Sequence, residues 1–187
     1  MMGPFETKRL YLRRFKLEDL DDIYTHIYSD PEVCQMYCGD TATRKQVHNK
    51  LLHHVHQPKE APFSYLAVVL KETGHVIGQV HINPYANCFY RLPGEPPARF
   101  CTLEAELAFA FGQAYWGRGL AYEACRRVIA YAFTELRLPR LMGGVVLENQ
   151  RSLDLHKRLG YRIERNAQED ICDWVVVLEN TMADDSP

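Results

Sequence analysis

The chain has 187 residues, of which 47% are apolar and 25% charged, and a formal net charge of −2. That is enough chain for a substantial core, with the balance of an ordinary soluble domain. It excludes the strongly basic footprint of a nucleic-acid binder, and the longest apolar runs, Leu66 to Leu70 and Trp174 to Leu178, are far too short to span a membrane.

Leu10 to Phe15 reads as a first strand, and the basic residues from Arg9 to Lys16 as its charged face. Leu17 to Ser29 follows as a helix, with Leu17, Leu20, Ile23, Tyr24 and Ile27 at helical spacing, and Pro31 closes it. Thr43 to Gln57 is a second helix. It carries His48, His53, His54 and His56, which read as a solvated helix end suited to the C-terminal dipole rather than as metal ligands. Ser64 to Leu70 and His75 to Asn83 form a hairpin around Gly74. Pro84 to Phe100 shows no period and reads as a long loop, a length that in compact domains is usually functional or disordered.

Thr102 to Phe111 is the next strand and Leu120 to Leu136 the next helix. Ala121, Cys125, Val128, Ala132 and Leu136 form one apolar stripe, so Cys125 is core rather than nucleophile. Leu141 to Leu147 is a strand, Asn149 begins a short helix that Gly160 ends, and Tyr161 to Arg165 and Ile171 to Asn180 are closing strands. The expectation is one mixed α/β domain over residues 1–187 with a mostly antiparallel sheet. The six cysteines (Cys34, Cys38, Cys88, Cys101, Cys125 and Cys172) are scattered, and Met1 to Lys16 holds no apolar run. Reduced thiols in an intracellular, cytoplasmic protein are the better reading, and no metal is called for.

Trp116-Gly117-Arg118-Gly119-Leu120-Ala121 joins the strand to the long helix. Its glycines allow a tight turn and close approach to a ligand. No Ser, Thr, Asp or Asn stands just before the helix to cap its first amides. A phosphate would satisfy those donors at the positive end of the helix dipole. The stretch is not a P-loop, and it fits a dinucleotide fingerprint poorly.

The order of hairpin, strand, W-G-R-G-L-A, helix, strand, N-Q-R-S, helix and L-G-Y resembles the GNAT superfamily of acyl-CoA-dependent N-acyltransferases. The opening T-K-R-L-Y-L-R-R-F with L-E-D-L, and Y-W-G-R-G-L-A-Y-E-A, look like its RimJ/RimL branch, whose members acetylate protein N-termini or small amines. The resemblance implies an α+β GNAT-like fold, a mostly antiparallel twisted sheet flanked by helices. It implies acetyl-CoA as co-substrate, no metal, and an amine acceptor. It assigns Gly117, Arg118, Gly119, Leu120, Ala121 and Tyr122 to the CoA phosphates. Phe109, Ala110 and Phe111 would pair with the pantetheine arm, and Asn149 would contact its amide or order water. Asn149 is equally a good N-cap.

An ammonium has no lone pair and must lose a proton before it attacks a thioester, in this family directly within a ternary complex. Glu104 and Glu106 lie two apart on one face of their strand. Apolar neighbours make a carboxylate more basic. Glu106 stands where many relatives carry a catalytic Glu and is taken as the base. Where many relatives carry a Tyr acid this chain has His156, while Ser152 fits the donor proposed for RimL-like enzymes. Ser152 is favoured, with His156, partly charged at neutral pH by its ordinary pKa, second. The loop from Pro84 to Arg99 is expected to shape the acceptor pocket. A CoA-binding regulatory module without turnover, and a small-molecule tailoring or resistance enzyme, stay open as alternatives, as does a homodimer.

Overall fold

The computed structural model describes residues 1–86, 103–166 and 172–181. In chain order they form β1 (Phe5–Glu6), β2 (Leu10–Arg14), α1 (Leu20–Ile23), α2 (Pro31–Tyr37), α3 (Arg44–Val55), β3 (Tyr65–Leu70) and β4 (Val76–Ala86). There follow β5 (Leu103–Phe111), α4 (Leu120–Thr134), β6 (Arg140–Val145), α5 (Gln150–Leu159), β7 (Arg162–Arg165) and β8 (Trp174–Glu179). The strands make one eight-stranded sheet in the order β1-β2-β3-β4-β5-β6-β8-β7. β5 and β6 run parallel, while β1-β2, β2-β3, β3-β4, β6-β8 and β7-β8 are antiparallel. The mixed, mostly antiparallel sheet expected from the sequence is therefore present. By contact density the chain divides into two compact units, Met1–Ile82 with Ala108–Val128, and Asn83–Leu107 with Ile129–Pro187.

In the first unit the period-2 pattern of β2 buries Leu10 and Leu12 and leaves Tyr11 exposed. Full burial of a side chain such as Leu12 contributes about 2 kcal/mol. The helical spacing from Leu17 buries Leu20, Ile23 and Ile27, as read. The element is not uniform, however. It opens with a 3₁₀ turn at Leu17–Asp19, continues as α1, and ends in a π-helical turn at Tyr24–Tyr28. Pro31 does not close a helix but opens one. It stands at the first position of α2, behind Asp30, whose carboxylate accepts from the amides of Glu32 and Val33. α3 starts as expected at Thr43, where a reciprocal pair with Gln46 caps it, a feature worth about 1 kcal/mol. Phe15, Ile23, Ile27, Val47, Leu51 and Val69 lie in one core cluster. Gly78 on β4 has a specific reason to be glycine. A Cβ there would meet the Ala110 carbonyl oxygen at 2.5 Å, so the two backbones approach more closely than any side chain permits.

In the second unit, β6 pairs with β8 from Arg140↔Glu179 to Val145↔Trp174, and β7 closes the edge with Arg162↔Val177. Met142, Val175 and Val177 form its buried centre. Asn180 donates from Nδ2 to the Leu138 carbonyl at 2.9 Å, tying the end of β8 to the turn after α4. Pro84 to Ala86, read as the start of a loop, continue β4. The rest of that reading, together with Cys88 and Cys101, lies outside the described residues.

Candidate active site

Gly117 and Gly119 both adopt the left-handed conformation, with φ of 71° and 73°. A Cβ at Gly117 would meet open space, so the backbone angle, not crowding, requires glycine there. Gly119 has no side chain with which to cap α4, and its carbonyl accepts from the Glu123 amide at 3.2 Å. The turn is braced from both sides. Trp116 donates its indole N–H to the Phe111 carbonyl at 2.6 Å, and the Arg118 guanidinium lies 5.8 Å from the centre of the Tyr115 ring. The Trp116 bond thus ties the turn to the end of β5.

Around this turn the structure assembles groups that the sequence did not connect. Both oxygens of Glu123, in the first turn of α4, are held. Oε1 accepts from the Thr7 hydroxyl at 2.6 Å and the Arg9 amide at 2.7 Å, and Oε2 from Arg9 Nε at 2.7 Å. Burial works to raise the Glu123 carboxyl, but the hydrogen bonds from Thr7 and Arg9 outweigh it and hold the group below the usual carboxylate range. Arg9 also donates from Nη1 to the Arg118 carbonyl at 2.9 Å. The basic face of β2 is likewise engaged: Arg13 forks onto the buried Asp19, and Arg14 reaches the carbonyls of Gln57 and Pro58.

Also in the first unit, the histidine-bearing helix differs from its sequence reading. His53 and His56 are exposed, but the His54 ring stacks on Tyr65 at 4.1 Å. Tyr65 in turn stacks on the buried His81 at 3.8 Å. Burial lowers His54 to about 4 and His81 to about 3, so both rings are neutral at pH 7. Among the described residues no group of three or more His, Cys, Asp or Glu side chains is arranged to hold a metal.

In the second unit, Asn149, Ser152 and His156 come together on α5. Asn149 is its N-cap, and its Oδ1 accepts from the Ser152 amide at 3.1 Å. His156 is only 4% exposed and meets Tyr161 edge-on at 4.8 Å. Its Nδ1 lies 2.8 Å from the Ser152 carbonyl oxygen and 3.3 Å from Ser152 Oγ. A carbonyl only accepts, so Nδ1 carries the proton, and Ser152 Oγ can only accept from it. The partly charged ring expected from the sequence is corrected here. Burial lowers His156 to about 4, the bond to Ser152 opposing it, and the imidazole is neutral at pH 7.

Glu104 and Glu106 are both half-buried on β5 but differ in surroundings. Glu104 is gripped by Arg140, Nε to Oε2 at 3.0 Å and Nη2 to Oε1. Glu106 stands in parallel register with Met142, and its Oε1 is 4.0 Å from where a Cβ on Gly143 would be. Its charge also reaches Cys172. Burial pushes that thiol up, an Asn166 hydrogen bond pulls it down, and the charges of Glu106 and Asp173 add to the rise. Sequence reasoning passed over Cys172. Cys125 is fully buried on α4, as its stripe foretold, and burial pushes its thiol up.

A family model for the acetyltransferase (GNAT) domain matches residues 9–162. An uncharacterized N-acetyltransferase, p20, of Bacillus licheniformis is 30% identical over 164 residues, covering 87% of this chain and 84% of that protein. Among solved structures, an acetyltransferase from Agrobacterium tumefaciens str. C58 superposes with a TM-score of 0.73 at 23% identity, covering 96% of this chain and 95% of that one. The ribosomal-protein-S5-alanine acetyltransferase from Vibrio fischeri superposes with a TM-score of 0.72 at 19% identity, covering 96% and 98%. Among the described residues no helix is long and apolar enough to cross a membrane.

Proposed function

The chain belongs to the GNAT acetyltransferase family and is an acetyl-transferring enzyme, and from that premise we propose that it transfers the acetyl group of acetyl-CoA to a primary amine, a protein N-terminus in the manner of the RimJ/RimL branch. The observation that carries the reading is the pair of left-handed glycines, Gly117 and Gly119, at the head of α4. Such a turn presents backbone amides at the positive end of a helix, the chemistry that receives a pyrophosphate. The backbone from Gly117 to Tyr122 would hold those phosphates, Phe109, Ala110 and Phe111 would accompany the pantetheine arm, and Asn149 would orient it. Acetyl-CoA supplies an activated acetyl thioester. The fold is shared with a ribosomal-protein-S5-alanine acetyltransferase, in keeping with a protein acceptor.

In this reading Glu106 takes a proton from the acceptor ammonium. The freed lone pair forms the new N–C bond as the C–S bond breaks; the Ser152 hydroxyl gives its proton to the departing sulfur and takes back the second proton of the acylated nitrogen, so that amide and thiol leave and Glu106 returns its proton to solvent. The two carboxylates of β5 are assigned different work here: Arg140 neutralises Glu104, and Glu106 serves as the base. His156 donates to Ser152 and fixes its orientation, leaving the serine proton to point elsewhere. Cys34, Cys38, Cys125 and Cys172 are free thiols, which suits a cytoplasmic enzyme.

The test is thermal melting with acetyl-CoA beside NAD and ATP, followed by thiol release with peptide and small-amine acceptors. A ligand at about 100 times its Kd adds about 2.7 kcal/mol, which raises Tm by roughly 5–10 °C in a domain of this size. A shift specific to acetyl-CoA, with faster thiol release on peptide N-termini than on small amines, supports the reading. A shift with a nucleotide alone overturns it. Turnover only with small amines keeps the reaction and removes the N-terminal acceptor.

A further inference from the structure

Arg118 stands between two left-handed glycines, and the peptide that joins it to Gly119 has glycine's wide choice of backbone angle on its Gly119 side. A side chain from far away in sequence helps to fix it. Arg9 donates Nη1 to the Arg118 carbonyl at 2.9 Å across a separation of 109 residues. A peptide group is planar and trans, so its C=O and N–H point in opposite directions. Holding the Arg118 carbonyl toward Arg9 therefore aims the Gly119 amide the other way. The same guanidinium answers a second problem. Glu123 in the first turn of α4 carries a negative charge where an anionic ligand would approach the helix. Arg9 Nε and backbone N–H, with the Thr7 hydroxyl, occupy both carboxylate oxygens and oppose that charge.

We propose that Arg9 is a positioning residue for the pyrophosphate turn, acting through the Arg118 peptide and through Glu123. This rests on the reading that the turn receives acetyl-CoA. Half-exposed surface pairs usually contribute little to stability, and Arg9 is 43% exposed. Its consequence is therefore to be sought in ligand affinity rather than in the melting temperature.

The experiment measures Kd for acetyl-CoA by calorimetry and steady-state kinetics on the full chain, for the wild type, Arg9→Ala and Arg9→Lys. S-acetylpantetheine, which has the thioester but no pyrophosphate, serves as the second donor. Arg9→Ala should weaken acetyl-CoA binding about tenfold, the loss of one or two charge-assisted hydrogen bonds. Its kcat at saturating acetyl-CoA and its KM for the acceptor should stay within about twofold, because the chemistry is untouched. Arg9→Lys should recover part of the affinity, since one ammonium reaches Glu123 or the Arg118 carbonyl but lacks the fork that reaches both. With S-acetylpantetheine the variants should match the wild type. Wild-type affinity for acetyl-CoA in Arg9→Ala, or an equal loss with both donors, overturns the inference and leaves the enzyme reading standing. If the wild type itself fails to bind acetyl-CoA, both fall. Should Arg9→Ala not fold, Arg9→Lys carries the test, and unchanged affinity there counts against the proposal.

Discussion

Arg140 holds the Glu104 carboxylate through both oxygens, Nε to Oε2 at 3.0 Å and Nη2 to Oε1, while Glu106 two residues along the same strand faces Gly143 and Cys172 instead. Two glutamates on one strand thus have different surroundings, which accords with the proposal that Glu106 and not Glu104 is the base.

Glu104→Gln should cost stability, about 1–2 kcal/mol, because it strips the counter-charge from a half-buried arginine. It should leave kcat within severalfold of wild type. Glu106→Gln should do the reverse, lowering kcat about a hundredfold, the range typical of a lost general base, with little change in acetyl-CoA affinity. Urea denaturation and steady-state kinetics on both variants check the pair. Equal losses of kcat in the two would remove Glu106 from its role as base.

Ser152 and His156 separate in the same way. Ser152→Ala removes the proposed proton donor, and kcat should fall roughly tenfold or more, most with acceptors whose attack is fast. His156→Phe keeps a buried ring against Tyr161 but loses the bond to Ser152. Its kcat should fall less than that of Ser152→Ala, since the serine proton survives. Single-turnover acetyl transfer measures both. If the phenylalanine variant is the worse of the two with its fold intact, the imidazole rather than the hydroxyl carries the proton.

Acid should unfold this protein through its buried imidazoles. His81 titrates at about 3 in the native state against an ordinary 6.5, and His156 at about 4. The native forms stay neutral while the unfolded chain takes up protons, so stability is full above pH 6.5 and falls as pH drops toward 4. Each such histidine costs about 1.4 kcal/mol per pH unit within that window. His81→Phe retains the stack on Tyr65 and removes one titrating group, along with an Nδ1 that has no partner among the described residues. Its stability should equal or exceed that of the wild type at pH 7 and decline with pH by about one proton less. A wild-type slope between pH 6 and 4.5 would refute this account of His81.

What was legible early was what is written locally. The α5 start at Asn149 and its stop at Gly160 rest on hydrogen bonds within a few residues, and so does the Thr43 cap of α3. The alternation of β2 and the stripe holding Cys125 follow from one-dimensional periods. The same local rules, read differently, would have found α2. Asp30-Pro31 is a capping residue before a proline at the first helical position, a start signal and not a stop. β1 is a two-residue strand, too short to carry any period.

The sequence by itself therefore determined the order of the elements other than β1 and α2, the glycine turn at the head of α4, the α5 cap and the family. Only the tertiary structure decided which charges meet and which rings are dry. Arg9 and Glu123 stand 114 residues apart, Glu104 and Arg140 36 apart, and no local signal records such pairings. His81 and His156 look like ordinary histidines until the chain closes over them. Backbone caps and periods are settled between near neighbours, whereas a pKa or an ion pair depends on whatever distant atoms folding brings within a few ångströms.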